Sequence, residues 1–227
     1  MQYSFVLLSG GNGSRMRQNC PKQYLLLGGK PMIMHTIERA SALKEISEII
    51  IVCEEKYKAE IDQLLQQYNI KKKIVYAPAG GTRQESVYNA LQFVSEDNLI
   101  LHEAARPFVT PQEFSCLINC SERNVSYASK ITFTVVKGNE YIVDILNRSE
   151  LRNIQLPQKF ETTILLEAHK EALKEHRSFT EDASMVTFYK KADVKLLEGS
   201  SYNIKMTEPI DLILGEMLYK EYFLGRK

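Results

Sequence analysis

Apolar and polar positions alternate in blocks along the first half of the chain. Four short apolar runs, bounded by turn residues, have the length of buried strands; they are residues 4–9, 48–53, 73–77 and 98–102. Three segments between them carry apolar residues at helical spacing; they are residues 31–43, 54–68 and 82–94. Pro31 suits the first turn of its helix, and Thr82 with Glu85 forms a capping-box pattern. The alternation predicts an α/β fold with a doubly wound, mainly parallel sheet.

The second half of the chain is less regular. Residues 126–134 and 140–145 are strand-like, and Lys137-Gly138-Asn139 suits a turn between them. The remaining predicted elements are a helix at 162–175, a strand at 194–198 and a helix at 208–223. No internal repeat or low-complexity linker divides the chain. We therefore predict one domain over residues 1–227, from which residues about 130–160 project as a β-arm.

Composition and charge narrow the classes of partner. The 227 residues are 44% hydrophobic and 25% charged, and Lys+Arg 29 against Asp+Glu 28 leaves a net charge of +1. A balanced charge favours neither a nucleic-acid nor a membrane partner. The first apolar run is too short for a signal sequence or a membrane span, so we expect a cytoplasmic protein. The cysteines form no CxxC pair, which favours incidental thiols; they are Cys20, Cys53, Cys116 and Cys120.

A glycine-rich turn follows the first predicted strand and carries the first sign of chemistry. Its residues are Leu8, Ser9, Gly10, Gly11, Asn12 and Gly13. Such a turn lets backbone N–H groups approach phosphates without obstruction by Cβ atoms. No Gly-Lys-Ser/Thr follows, and the third glycine of a dinucleotide fingerprint is missing, which argues against an NAD-dependent oxidoreductase. Arg15 and Lys22 supply two cations beside the turn, as a triphosphate site requires.

Two further blocks lie where predicted strands end. Gly81 and Ser86 bracket the start of a helix, at the edge where ligands of open α/β sheets bind. Glu103 and Arg106 follow the strand 98–102 and offer a carboxylate and an anion contact, and the small Ala104 suits a close approach to a ligand. From the residues alone, other interpretations stay open: Ser86 as helix capping, Glu103 with Arg106 as a surface ion pair, and Lys205 as an ordinary surface lysine.

These blocks, taken in order, closely resemble the bacterial cytidylyltransferases of the methylerythritol-phosphate and ribitol-phosphate type. The matching stretches are GGNGSRM at 10–16, PKQY at 21–24, GGTRQESV at 80–87, HEAARP at 102–107, PQ at 157–158 and NIKMT at 203–207. They extend over nearly the whole chain. The resemblance implies a nucleotidyltransferase fold, a homodimer built through the β-arm, and Mg²⁺ as the divalent cation.

The resemblance also implies a reaction and roles for single residues. CMP is transferred from CTP to a polyol phosphate with release of pyrophosphate, and 2-C-methyl-D-erythritol 4-phosphate is the expected acceptor. Arg15, Lys22, Lys205 and Arg148 are the expected catalytic residues. Arg148 and Lys205, with Glu103 and Arg106, are expected to bind the acceptor, and Glu103 is also a candidate contact for Mg²⁺. The expected nucleotide contacts are Leu8, Ser9, Gly10, Gly11, Asn12, Gly13, Gly81, Arg83, Ser86 and Ala104.

Three departures from the family pattern leave the acceptor open. The family usually has Asp at the position of Glu103, an Asp-Thr pair near Thr134-Val135, and Thr at the position of Leu156. Ribitol 5-phosphate or a related surface-polymer precursor is the alternative acceptor, so the pathway is either isoprenoid or cell-surface synthesis. A sugar-1-phosphate nucleotidyltransferase is a wider alternative, and a non-catalytic nucleotide-binding regulator is a remote one.

Overall fold

A computed structural model describes the backbone of residues 1–11 and 21–224 and the side chains up to Glu221, apart from those of 12–20. The strands, in chain order, are β1 Tyr3–Leu8, β2 Leu26–Leu27, β3 Lys30–Pro31, β4 Ile46–Cys53, β5 Lys73–Pro78, β6 Asn98–Glu103, β7 Val125–Lys130, β8 Val135–Gly138, β9 Ile142–Leu146, β10 Arg152–Glu161 and β11 Lys195–Glu198. The α-helices are α1 Met32–Ala42, α2 Lys58–Gln67, α3 Arg83–Leu91, α4 Pro111–Asn119, α5 Thr162–Lys174, α6 Asp182–Phe188 and α7 Pro209–Leu218. Short 3-10 turns occur at Lys22–Tyr24, Glu55–Tyr57 and Arg148–Glu150, and a π-helical turn at Tyr219–Leu224.

Seven strands form the central sheet in the order β11-β7-β10-β6-β1-β4-β5. All neighbouring strands run parallel except β10, which is antiparallel to both β6 and β7. The chain passes from β1 outward to β4 and β5 and then returns to β6 on the other side of β1. The change of direction beside β1 is the place where open α/β sheets form a ligand crevice.

Alternate residues of the central strands enter two separate cores. Phe5 and Leu7 of β1 pack with α1, α2 and α4 on one face of the sheet. Val6, between them, packs with α3, α5 and α6 on the other face. Because successive side chains of a strand point to opposite faces, a strand covered on both sides reads as a continuous apolar run. The predicted doubly wound α/β fold is confirmed.

The elements of the first half match the predictions closely, and those of the second half require corrections. The predicted strand 126–134 ends at Lys130, and the predicted turn at 137–139 begins inside β8. Strand β10 occupies residues 152–161, which were assigned mostly to the arm. It was missed because Gln155, Gln158 and Lys159 are polar although they are buried. Their side chains are hydrogen-bonded, which removes most of the cost of burial.

Two helices were also missed, although one of them carries a clear start signal. Thr110 and Glu113 form a closed capping box at the start of α4, with Pro111 in its first turn. Helix α6 begins after Glu181, whose side chain caps Ala183 and Ser184. The C-terminal helix is α-helical to Leu218 and continues as the π-helical turn Tyr219–Leu224, so its predicted end at residue 223 agrees within one residue. Within the described residues, none of the helices is both long enough and apolar enough to cross a membrane.

Two buried histidines should make the free energy of unfolding depend on pH between about 4 and 6.5, above the pH at which ordinary carboxylates titrate. His35 Nε2 lies 2.9 Å from the carbonyl oxygen of Leu27, and His102 Nε2 lies 3.0 Å from that of Arg106. His102 thus makes its hydrogen bond near the end of β6. Burial lowers the pKa of both imidazoles to about 4, so both are neutral in the folded protein at pH 6, where the unfolded chain takes up protons.

We expect the free energy of unfolding to fall as the pH drops from 6.5 towards 4, because the folded-state pKa values lie below the unfolded ones. Each histidine adds at most about 1.4 kcal/mol per pH unit to this slope. Urea unfolding between pH 7 and 5 should show a flatter profile for the double variant His35→Gln, His102→Gln. The matched control is His176→Asn at an exposed position, and an equal flattening there would contradict the assignment.

Candidate active site

A cleft of about 640 Å³ opens at the carboxyl ends of β1, β4, β5 and β6. Parallel strands bring these ends to one edge of the sheet, and the volume suits a small ligand. The residues that line the cleft are Leu8, Ser9, Gly10, Gly11, Lys22, Gln23, Glu54, Ala79, Gly80, Gly81, Thr82, Arg83, Ser86, Glu103, Ala104, Ala105 and Lys205. All eight sequence-predicted nucleotide contacts that the structure describes therefore line one cavity.

The turn after β1 forms one wall of the cleft. Ser9 continues the pairing of β1 with β4, because both its backbone N–H and its hydroxyl donate to the carbonyl oxygen of Val52. The side chain of Gln23 donates to the carbonyl oxygen of Ser9. Gly10 lies so close to Ala79 that a side chain at position 10 meets it directly. The wall is therefore fixed on both sides before any ligand arrives.

The same arrangement brings two lysines into the cleft from distant parts of the sequence. Lys22 Nζ donates to the carbonyl oxygen of Met206 over 2.9 Å. The N–H of Met206 in turn donates to the carbonyl oxygen of Ala105 over 2.8 Å. Lys22 and Lys205 therefore both lie beside the end of β6. Two ammonium groups at one edge of the sheet provide a site for an anion.

The start of α3 forms the opposite wall. The Thr82 hydroxyl accepts from the N–H of Glu85, as the predicted capping box requires. The Glu85 carboxylate, however, accepts from the N–H of Gly81 rather than from that of Thr82. Ser86 donates its hydroxyl to the carbonyl oxygen of Thr82 and accepts from the N–H of Gly80. The cap of α3 is thus Thr82, and the two hydrogen bonds of Ser86 hold the Gly80-Gly81 turn against the first turn of the helix.

Glu103 lies at the centre of a buried ionic cluster. Its Oε1 is 3.0 Å from Arg83 Nε, and its Oε2 is 2.8 Å from Lys205 Nζ and 3.8 Å from Arg106 Nε. Burial by itself raises the pKa of the Glu103 carboxyl, but Arg83, Lys205 and Arg106 together lower it to about 2. The residue is therefore ionised at neutral pH. Because Glu103 and Arg106 have almost no exposed surface, they are not a surface ion pair.

A second carboxylate, Asp182, lies behind Arg83. Asp182 Oδ2 is 2.6 Å from Arg83 Nη1, and Asp182 Oδ1 is 2.9 Å from His169 Nε2. Burial alone lowers the pKa of Arg83, but the two carboxylates outweigh it and raise that pKa. Asp182 is not the N-cap of α6, because the cap is its neighbour Glu181. Asp182 is instead completely buried and bridges a histidine and an arginine.

Not every predicted site residue reaches the cleft. Arg106 lies just behind it, and its Nη1 donates to the carbonyl oxygen of Asn203 over 2.8 Å. Arg148 does not line the cleft of its own chain: it lies beyond the β8–β9 hairpin and donates to the carbonyl oxygen of Thr132. Asn12, Gly13 and Arg15 fall outside the described residues.

Among residues 1–11 and 21–221, no three His, Cys, Asp or Glu side chains are grouped as a metal site requires. The carboxylates that line the cleft are Glu54 and Glu103, and Glu103 already has three cationic neighbours. The cysteines in this part of the chain, Cys53, Cys116 and Cys120, are free thiols. The protein residues described therefore do not fit a preformed divalent-cation site of their own.

Sequence reasoning missed several residues of the cleft. Glu54 and Ala79 each follow a parallel strand, β4 and β5, and reach the cleft because those strands end beside β1. Neither lies in a motif, so only their position after a predicted strand pointed to the site. Gln23 was noticed as part of a motif, but its role in fixing the turn after β1 depends on a tertiary contact.

A comparison with protein families decides the class of the site. The family model for 2-C-methyl-D-erythritol 4-phosphate cytidylyltransferase (IspD) matches residues 4–221. The chain belongs to this family. It is therefore a nucleotidyltransferase, and the family match favours the methylerythritol-phosphate branch over the ribitol-phosphate branch of the resemblance.

Individual relatives agree with the family match along almost their whole length. 2-C-methyl-D-erythritol 4-phosphate cytidylyltransferase of Clostridium botulinum is 36% identical over 224 residues, covering 96% of this chain and 97% of the relative. Its namesake from Bacillus cytotoxicus is 36% identical over 218 residues, covering 94% and 96%. The crystal structure of 4-diphosphocytidyl-2C-methyl-D-erythritolsynthase from Anaerococcus prevotii has a TM-score of 0.85 at 27% identity, covering 99% of this chain and 96% of that one.

The contact between Gly10 and Ala79 gives a test of the cleft wall. A Cβ at position 10 lies 2.5 Å from Ala79 Cβ, whereas a Cβ at Gly11 meets none of the described residues within 4 Å. We expect Gly10→Ala to lower the free energy of unfolding by about 1–3 kcal/mol, since one wall has to move. Gly11→Ala is the matched control and should change it by less than about 0.5 kcal/mol. Equal stabilities in chemical denaturation would show that the two walls are not in close contact.

Proposed function

We propose that this IspD-family enzyme transfers CMP from CTP to 2-C-methyl-D-erythritol 4-phosphate and releases pyrophosphate. The observation that carries the proposal is the cleft itself, where the glycine turn, two lysines and the Glu103 cluster meet at one sheet edge. Family membership supplies the substrate class. The active site of the proposal thus has a nucleotide side, formed by the two rigid turns, and an acceptor side, formed by Glu103 and its neighbours.

On the nucleotide side, backbone N–H groups and lysines face the phosphates. Gly10 and Gly11 present backbone to the cleft without a side chain, and Lys22 lies beside them. We assign Lys22, together with Arg15, to the triphosphate and the departing pyrophosphate, because cations there stabilise the charge that develops on the leaving group. The Gly80-Gly81 turn with Ser86 is assigned to the base and ribose. Both glycine turns are held by hydrogen bonds in the free protein, so they bind the nucleotide with little rearrangement.

On the acceptor side, Glu103 is the group that suits polyol hydroxyls. An ionised carboxylate accepts hydrogen bonds from hydroxyl donors, and its pKa keeps it ionised at neutral pH. Lys205, which pairs with Glu103 over 2.8 Å, is assigned to the reacting α-phosphate. Leu156, one of the departures from the family pattern, is buried in the core and does not line the cleft. That departure therefore says little about the acceptor.

The proposed reaction depends on correct positioning of the two substrates and does not need a general base. The acceptor phosphate is already anionic, and one of its oxygens attacks the α-phosphorus of CTP. A bond forms between that oxygen and phosphorus, and the bond from phosphorus to the oxygen that bridges to the β-phosphate breaks. The main obstacle is repulsion between the anions, which Lys22 and Lys205 reduce. Mg²⁺ is proposed to arrive with the triphosphate, whose oxygens are its preferred ligands.

We further propose a single domain over residues 1–227 that works as a homodimer in the cytoplasm, where CTP is made. The arm at about 130–160 contains the β8–β9 hairpin, which forms a sheet of its own. Several of its apolar side chains are exposed in the single chain; they are Phe133, Tyr141, Ile142, Val143 and Ile145. A second copy of the chain is proposed to cover them, and the same contact would bring Arg148 to the partner's acceptor site.

The two lysines test the catalytic assignment. We expect Lys22→Ala and Lys205→Ala each to lower kcat in pyrophosphate release by about 10²-fold or more while the fold persists, because each removes charge stabilisation of the transition state. Lys170→Ala, at an exposed position on α5, is the matched control and should keep full activity. Near-normal kcat in both cleft variants would contradict the assignment.

The acceptor is tested with the wild-type protein, CTP and a panel of phosphates. Pyrophosphate release should be fastest with 2-C-methyl-D-erythritol 4-phosphate, and slower by at least about tenfold with ribitol 5-phosphate or glycerol phosphate, since hydroxyl placement against Glu103 decides the fit. A preference for ribitol 5-phosphate would move the enzyme to the alternative branch. No release with any member of the panel would favour a non-catalytic nucleotide-binding protein.

A further inference from the structure

A row of ionic contacts connects the protein interior with the acceptor side of the cleft. It begins at His169 on α5, passes through Asp182 and Arg83, and ends at Glu103 with Lys205. The successive nitrogen–oxygen distances are 2.9, 2.6, 3.0 and 2.8 Å. Arg83, Glu103 and Lys205 line the cleft, whereas Asp182 and His169 do not. Among the described residues, these two inner side chains are thus connected to the lining of the cleft through Arg83.

Arg83 lies between two carboxylates, and this fixes its guanidinium. Its Nε donates to Glu103 and its Nη1 to Asp182. A planar guanidinium that is held at two of its nitrogens has one orientation, whereas one held at a single nitrogen can turn about that contact. Arg83 is the first residue of α3, Glu103 the last of β6, and Asp182 the first of α6. Three separate elements thus fix the guanidinium of Arg83, which is one of the three cations that hold the Glu103 carboxylate.

We propose that Asp182 is a positioning residue for the acceptor: held by His169, it fixes Arg83 so that Arg83 presents Glu103 to the acceptor hydroxyls. The inference rests on the proposed function, because it takes Glu103 as the acceptor contact. His169 Nε2 faces an oxygen that only accepts, so this nitrogen carries the proton and donates. Both inner residues are completely buried, which shields the contact between Asp182 and Arg83 from competition by water.

The variant Asp182→Asn tests the proposal with almost no change of shape. If Oδ1 of the amide accepts from His169, its NH₂ group faces Arg83 Nη1, and two donors then oppose each other. We expect Arg83 to turn away from Glu103, so that kcat/KM for the acceptor falls by about 10-fold to 100-fold. The KM for CTP should change by less than about 3-fold, because the groups assigned to the nucleotide, which are the two glycine turns and Lys22, do not belong to this row of ionic contacts.

A purely structural role of Asp182 predicts a different result, and two comparisons separate the roles. In an enzyme that already carries Glu103→Gln, the further substitution Asp182→Asn should lower kcat/KM for the acceptor by less than about 2-fold, because both substitutions disrupt the same contact. Glu48→Gln is the matched control. Glu48 is also a buried carboxylate with an ion-pair partner, Lys73, but it lies near the amino end of β4, whereas the cleft lies at the carboxyl ends of the strands. This control substitution should lower the free energy of unfolding without changing the ratio of the KM for the acceptor to the KM for CTP.

A crystal structure of Asp182→Asn provides a readout that does not need activity. We expect the distance from Arg83 Nε to Glu103 Oε1 to exceed about 3.5 Å, the limit of a hydrogen bond. The proposal would be overturned by an unchanged distance between these two atoms. It would also be overturned if the two substitutions lowered kcat/KM independently in the double variant, or if kcat/KM fell equally for CTP and for the acceptor. If the wild type fails to release pyrophosphate, the proposed function fails, and the crystal structure still decides whether Asp182 positions Arg83.

Discussion

The Glu103 carboxylate, held between three cations, is the interaction on which the rest of the site depends. Removing a carboxylate from water is costly, and the cost is recovered only when charged partners and hydrogen bonds surround it. Here the partners come from the start of α3, from the turn after β6 and from the segment before α7. One buried negative charge therefore connects three parts of the chain that the fold places around the end of β6.

The cluster also gives the cleft its electrostatic character. Arg83, Arg106 and Lys205 face Glu103 and Asp182, so the three cations exceed the two carboxylates by one charge. Lys22 adds another cation beside them. The whole chain carries only +1, so the excess of positive charge at the cleft is local. Within a cleft that excludes part of the solvent, such a local excess acts more strongly on an anion than the same charges on an open surface.

The backbone turns around these charges are held in place by hydrogen bonds. Ser9 is fixed by Val52 and Gln23, and the Gly80-Gly81 turn is fixed by Ser86 and Glu85. Below them, two apolar cores cover both faces of the sheet. A site for phosphoryl-type transfer relies on groups that are in place before the reaction begins. The buried row that runs from His169 to Glu103 extends this support into the interior.

The sequence alone determined the doubly wound fold, the glycine turn that lines the cleft and the family, because strand periodicity, glycine spacing and motif order are local properties of the chain. It also identified Lys22, Glu103 and Lys205. Tertiary structure decided the rest. Strand β10 escaped notice because its buried polar side chains find partners only on other elements. The role of Asp182 depends on Arg83, a residue distant in sequence and 2.6 Å away in space. Which charges neutralise one another is a property of the folded chain, since residues far apart in sequence meet only at the end of the sheet.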